Sequence, residues 1–140
     1  MLRQFALGAG VSICNIVIHA LVMACVVYAA RLTAEARTTS HPQMRLVLVM
    51  IATVSVLMAA HAGEVIVWSL AYAMIDVVPD GTNVLYFAFV NYTTLGYGDI
   101  VPVERWRLIG PMTAMNGVLL FGWSTAVIFE VLRRAMGSVK

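Results

Sequence analysis

Three long apolar stretches, at about residues 7–30, 45–77 and 108–132, limit what this chain can fold into more than any other feature. Each exceeds the roughly 20 apolar residues that carry a helix across a bilayer. A chain of 140 residues that is 61% hydrophobic and 11% charged has too little polar surface to hide them in one water-soluble core. Lipid is the expected solvent. In lipid a backbone must satisfy its own N–H and C=O groups, which selects helices. The first stretch outruns the roughly 7–15 residues of a signal-peptide core, so it is expected to remain as a span.

The rest of the composition mainly excludes. Net charge is only +2 and the basic residues are scattered, so no stripe exists for a nucleic acid to follow. Cys14 and Cys25 sit in one expected helix, about 16 Å apart along its axis, too far for a disulfide; they read as small packing residues. No span carries arginine at every third position, so no voltage-sensing helix is expected. Arg31, Arg37 and Arg45 between the first two spans, with Arg133, Arg134 and Lys140 after the third, outnumber Arg3, Arg105 and Arg107 on the opposite face. Positive segments stay on the cytoplasmic side, which places the N-terminus outside and the C-terminus in the cytoplasm.

Between the second and third spans lies a short amphipathic piece, 82–93, too short to cross and suited to a re-entrant helix. Pro79-Asp80-Gly81 supplies a turn before it, and Thr82 or Asn83 can cap it. Directly after it comes Thr93-Thr94-Leu95-Gly96-Tyr97-Gly98-Asp99. A pore that selects a dehydrated monovalent cation must replace the water shell with oxygens, and backbone carbonyls aimed at an axis can do this. Such a strand needs successive residues to alternate their dihedrals, which Gly96 and Gly98 permit. Thr94 adds a hydroxyl oxygen, while Leu95 and Tyr97 are expected to point away from the axis and pack behind it. One loop surrounds only part of an ion, so a single-copy chain is expected to assemble as a homotetramer. The C-terminal end of the short helix then aims its partial negative charge at the pore.

Over about 85–129 the sequence resembles the potassium-channel pore family, whose signature is Thr-x-Gly-Tyr-Gly, usually followed by Asp. Tyr86-Phe87 is similar to the aromatic pair of that family's pore helix, Pro102 follows the filter, and Trp106-Arg107 opens the inner helix. The resemblance implies an all-α membrane protein: three transmembrane helices plus a re-entrant pore helix and selectivity-filter loop, assembled as a tetrameric channel. It places K+ at the carbonyls of Thr94, Leu95, Gly96 and Tyr97, with Gly98 completing the filter. Tyr97 would sit in an aromatic cuff with Tyr86 or Phe87, and Asp99 would bond to a pore-helix side chain. Val90 stands where some bacterial members carry the glutamate that pairs with this aspartate, which leaves the bracing to Tyr86 or to no residue.

The organisation so implied is an extra N-terminal helix and loop at 1–44, a pore domain at 45–133 and a short tail at 134–140. Within the pore domain the outer helix is expected at 45–77, the pore helix at 82–93, the filter at 94–99 and the inner helix at 108–132. A tail this short is not expected to hold a folded ligand-binding domain. The outer helix, about 50 Å long if straight, is expected to project from the membrane or bend near Gly63. The implied protein is a channel of the bacterial plasma (inner) membrane, in contact with lipid, that passes K+ passively with no cofactor and no enzymatic step. A non-selective cation channel and a non-conducting regulatory subunit are the alternatives.

Polar residues inside spans are costly and usually face protein or water. Gly117 reads either as a hinge for a gate or as a site of close helix packing. Asn116 either lines the cavity below the filter or bonds between helices. His61 and Glu64, three residues apart, share a helix face, and Asn15 and His19 share a face of the first span that can approach them. This group reads as a structural polar network, a proton sensor or a divalent-cation site. As an intramembrane metalloenzyme its ligand set is too thin.

Overall fold

The computed structural model describes residues 1–35 and 42–137. The elements are α1 (Leu2–Glu35), α2 (Pro42–Met74), α3 (Val84–Tyr92), a 3-10 turn (Glu104–Trp106) and α4 (Ile109–Gly137). All regular structure among the described residues is helical. Among the described residues three segments are long and apolar enough to cross a membrane: Leu2–Leu32, Gln43–Met74 and Glu104–Met136. The helices outrun the apolar stretches that nucleate them because flanking Arg3, Gln4, Arg133 and Arg134 are compatible with helix. Long basic side chains at such ends reach back toward water.

α2 passes without interruption through Gly63 and stops at Met74, short of the expected residue 77. The stop is a Schellman-type cap. Asp76 takes a positive φ of 49°, and the Val77 N–H donates to the Tyr72 carbonyl at 3.2 Å, the six-to-one bond of that motif. Val77 and Tyr72 are both fully buried in the same cluster, which supplies the apolar contact that accompanies such caps.

α3 is shorter than the expected 82–93. Thr82 spends its hydroxyl on the Pro79 carbonyl at 2.5 Å, so capping falls to Asn83, whose Oδ1 accepts the Tyr86 N–H at 3.0 Å. Asn83→Ala is expected to cost about 1 kcal/mol, read as a lower midpoint in thermal unfolding of the detergent-solubilised protein. Trp106 does not open the inner helix. It closes the 3-10 turn through its N–H to the Val103 carbonyl, and α4 begins at Ile109 with Pro111 in its first turn, where no N–H is needed. The Val103 N–H also donates to the Val77 carbonyl at 2.8 Å, tying this connection to the end of α2.

The N-terminal helix packs on α4 and α2 of its own chain. Among the described residues two apolar clusters hold the bundle. One gathers Trp68, Tyr72, Phe87, Tyr92 and Ile109; the other gathers Met23, Val26, Ala30, Leu57, Val127 and Val131. At one end Gln4 Oε1 accepts the Leu108 N–H at 2.8 Å, and Gly8 lets α1 close onto Met112. Residues 1–4 therefore lie at the same end as the connection into α4, and Ala30 lies at the other end beside Val127 and Val131. Val47, Leu48, Ile51, Met58, Ile66 and Leu70 of α2 remain exposed, as expected of a helix bathed in lipid.

Candidate functional site

The loop after α3 is built on the last turn of that helix. The Leu95 and Gly96 N–H groups both donate to the Val90 carbonyl, at 2.9 and 3.4 Å, and the Thr94 N–H donates to the Asn91 carbonyl at 3.0 Å. From there φ is positive at every second residue: 60° at Thr94, 57° at Gly96 and 75° at Gly98. The glycines adopt this freely. Thr94 does not, since a β-branched residue at positive φ is uncommon and persists only where its surroundings fix it. The sequence reading attached this conformation to the glycines alone.

The side chains around the loop divide between two tasks. Tyr86 donates its O–H to Asp99 Oδ2 at 2.8 Å, so in the single chain the α3 side chain bonded to Asp99 is Tyr86. That bond, with the carboxylate charge behind it, raises the Tyr86 phenol above its ordinary value. Phe87 does not share the task. It is buried and packs on Tyr72 with ring centroids 5.3 Å apart, so an aromatic cuff of Phe87 on Tyr97 is not formed within the chain. Leu95 and Tyr97 are 54% and 68% exposed in the single chain.

Behind the loop the four residues Asn15, His19, His61 and Glu64 come together. Glu64, with no solvent exposure, receives His19 Nδ1 at 2.7 Å and His61 Nδ1 at 3.0 Å. Tyr92, two residues before Thr94, donates its O–H to the same carboxylate. Asn15 Nδ2 donates to the Glu64 carbonyl and to Asn116 Oδ1, both at 3.2 Å, and Trp68 Nε1 donates to Asn116 Oδ1 at 3.0 Å. Asn116 is 2% exposed. Of the two roles considered, it takes the bond between helices in the single chain, not the lining of a cavity. Gly117 packs directly under Tyr92, where a Cβ would strike the Tyr92 carbonyl oxygen.

Sequence reasoning missed Trp68, Tyr92 and Ser124. Their signal was spacing. His61, Glu64, Trp68 and Tyr72 recur at three, four and four residues along one face of α2, and Asn116 and Ser124 lie eight apart on α4. Each position reads as ordinary apolar or small filling until the opposite helix is known.

A helical membrane bundle with a short helix and a glycine-punctuated loop set between two spans is the arrangement of a pore domain. Residues 60–134, more than half of the chain, match the family described as "Ion channel". The protein is a member of that ion channel family. No curated protein and no solved structure matches it. The matched segment holds part of α2, all of α3, the loop and most of α4; α1 lies outside it.

Proposed function

We propose that the protein is the subunit of a homotetrameric potassium-selective channel, with α3 as a re-entrant pore helix and 94–98 as the filter. The observation that carries this reading is the alternation of φ at Thr94, Gly96 and Gly98. Alternating handedness turns successive carbonyls to one side of the strand, which is what replacing an ion's water shell requires. Thr94, Leu95, Gly96 and Tyr97 supply those carbonyls to K+. Four copies close the ring and cover the exposed Leu95 and Tyr97. The excess of basic residues at 31–45 and 133–140 sets these segments in the cytoplasm and the Asp99 loop outside. α2, α3 and α4 then serve as outer, pore and inner helices of a bacterial-type plasma-membrane channel, with lipid around them.

The test is cation flux from liposomes holding the purified full chain alone. Potassium and rubidium flux with little sodium is expected, and Gly96→Ala should abolish it. At the Gly96 φ of 57° an L side chain costs about 1–2 kcal/mol in each copy. Sodium passing as fast as potassium would indicate a non-selective channel on the same scaffold. No flux of any ion from an assembled tetramer would indicate a non-conducting subunit.

A further inference from the structure

We propose that His19, His61 and Glu64 form a divalent transition-metal site, of the kind Zn2+ occupies, which ties α1 to α2 behind Tyr92. The site lies behind the loop at 94–98 and includes no residue of it, so its existence does not depend on what that loop conducts.

Three strong donors converge there from two helices. The ligand atoms, one from each residue, are a ring nitrogen of either histidine and a carboxylate oxygen, and they lie within 4.8 Å of one another. His19 and Glu64 have fully buried side chains, and that of His61 is 15% exposed. Zinc bonds imidazole nitrogen and carboxylate oxygen at about 2.0–2.2 Å, so an ion enters if the 2.7 and 3.0 Å contacts open by about half an ångström. Two imidazoles and one carboxylate suit zinc and its neighbours; calcium and magnesium prefer oxygen alone.

The far ring nitrogens are compatible with an occupant. In the tautomers in which Glu64 accepts Nδ1–H from both histidines, with His61 Nδ1 also 2.9 Å from the Tyr92 hydroxyl, both Nε2 atoms carry lone pairs. Both face the same hydroxyl, Ser124 Oγ, at 3.4 Å from His19 and 2.9 Å from His61. One hydroxyl proton serves only one of them. An ion on the Nδ1 side moves each ring hydrogen to Nε2, and the two lone pairs of Ser124 Oγ then accept both. Metal-bound histidines are commonly held in this way, by an acceptor on the far ring nitrogen. Tyr92 donates to the carboxylate oxygen that His61 also faces, Glu64 Oε2, and helps to fix its position. A largely apolar cleft of ≈ 500 Å³, lined by Leu57, Met58, His61, Phe89, Tyr92 and Ser124, reaches the His61 side of the group.

The experiment uses the full chain in detergent, stripped with a chelator and titrated with Co2+ and then with Zn2+. The expected result is about one ion per chain, visible ligand-field absorption from tetrahedral Co2+, and its displacement by Zn2+. His19→Gln, His61→Gln and Glu64→Gln should each weaken binding about tenfold or more, while His41→Gln and Cys14→Ser/Cys25→Ser should not. Helical circular dichroism and elution volume establish that each variant is folded. No saturable uptake by the wild-type chain overturns the site, and a proton shared between the imidazoles would give that result. Undiminished binding in the folded ligand variants overturns it equally.

Discussion

Gly117→Ala is expected to destabilise the protein by about 1–3 kcal/mol, although replacing a helix-interior glycine by alanine ordinarily stabilises. The added methyl would fall on the Tyr92 carbonyl oxygen, with the Tyr92 carbonyl carbon and ring next nearest at 3.1 and 3.4 Å. A carbonyl is backbone and cannot rotate aside, so α3 or α4 must move. Tyr92 ends α3 and is joined through Thr93 to Thr94, so that movement is delivered to the loop. Gly122→Ala is the control. Nothing lies within 4 Å of its added Cβ, and a gain of about 0.5–1 kcal/mol is expected there. Thermal unfolding of the two variants in detergent checks the opposite signs. If Gly117→Ala matches Gly122→Ala in stability and changes only channel opening, then Gly117 acts as a hinge and its packing role fails.

Trp68→Ala should be the costliest single truncation, at about 3–5 kcal/mol. The indole has no solvent exposure, packs against Tyr72 with centroids 5.8 Å apart and donates to Asn116 Oδ1. Its removal leaves a cavity at the junction of α2 with α4 and takes one of two donors from a buried amide oxygen. Trp68→Phe separates the contributions. Most of the packing stays, Asn15 still reaches Asn116, and the lost hydrogen bond contributes about 1 kcal/mol. Denaturant titration in mixed micelles should therefore rank wild type above Phe and Phe well above Ala. Equal losses for the two substitutions would mean that the hydrogen bond, not the packing, holds this junction.

Both predictions depend on contacts between residues far apart in the sequence, which marks the limit of what the chain reveals when read alone. The membrane spans were legible because their signal is local: an apolar run longer than a bilayer is thick needs no partner to be interpreted. The loop was legible for the same reason. Alternating glycines in Thr94-Leu95-Gly96-Tyr97-Gly98 state a backbone requirement within five consecutive residues. Even there the positive φ of Thr94 came only from the folded chain, because a β-branched residue enters that region only when its surroundings enforce it.

Helix ends were legible to within a few residues, and each displacement has a local cause. Asp76 in the left-handed region ends α2 early, Thr82 bonded to Pro79 leaves the cap of α3 to Asn83, and the 3-10 turn through Trp106 delays α4. The sequence by itself determined that this is a helical membrane protein, that residues 94–98 form an unusual backbone, and that His61 and Glu64 share a face. Only the tertiary structure decided that α1 folds back onto α4, that His19 and Tyr92 meet on Glu64, that Asn116 turns inward to Trp68, and that Gly117 makes room for a carbonyl. The reason is one of range: periodicity and composition tell which side of a helix is special, and a polar side chain's partner is set by which helix comes to lie against that side.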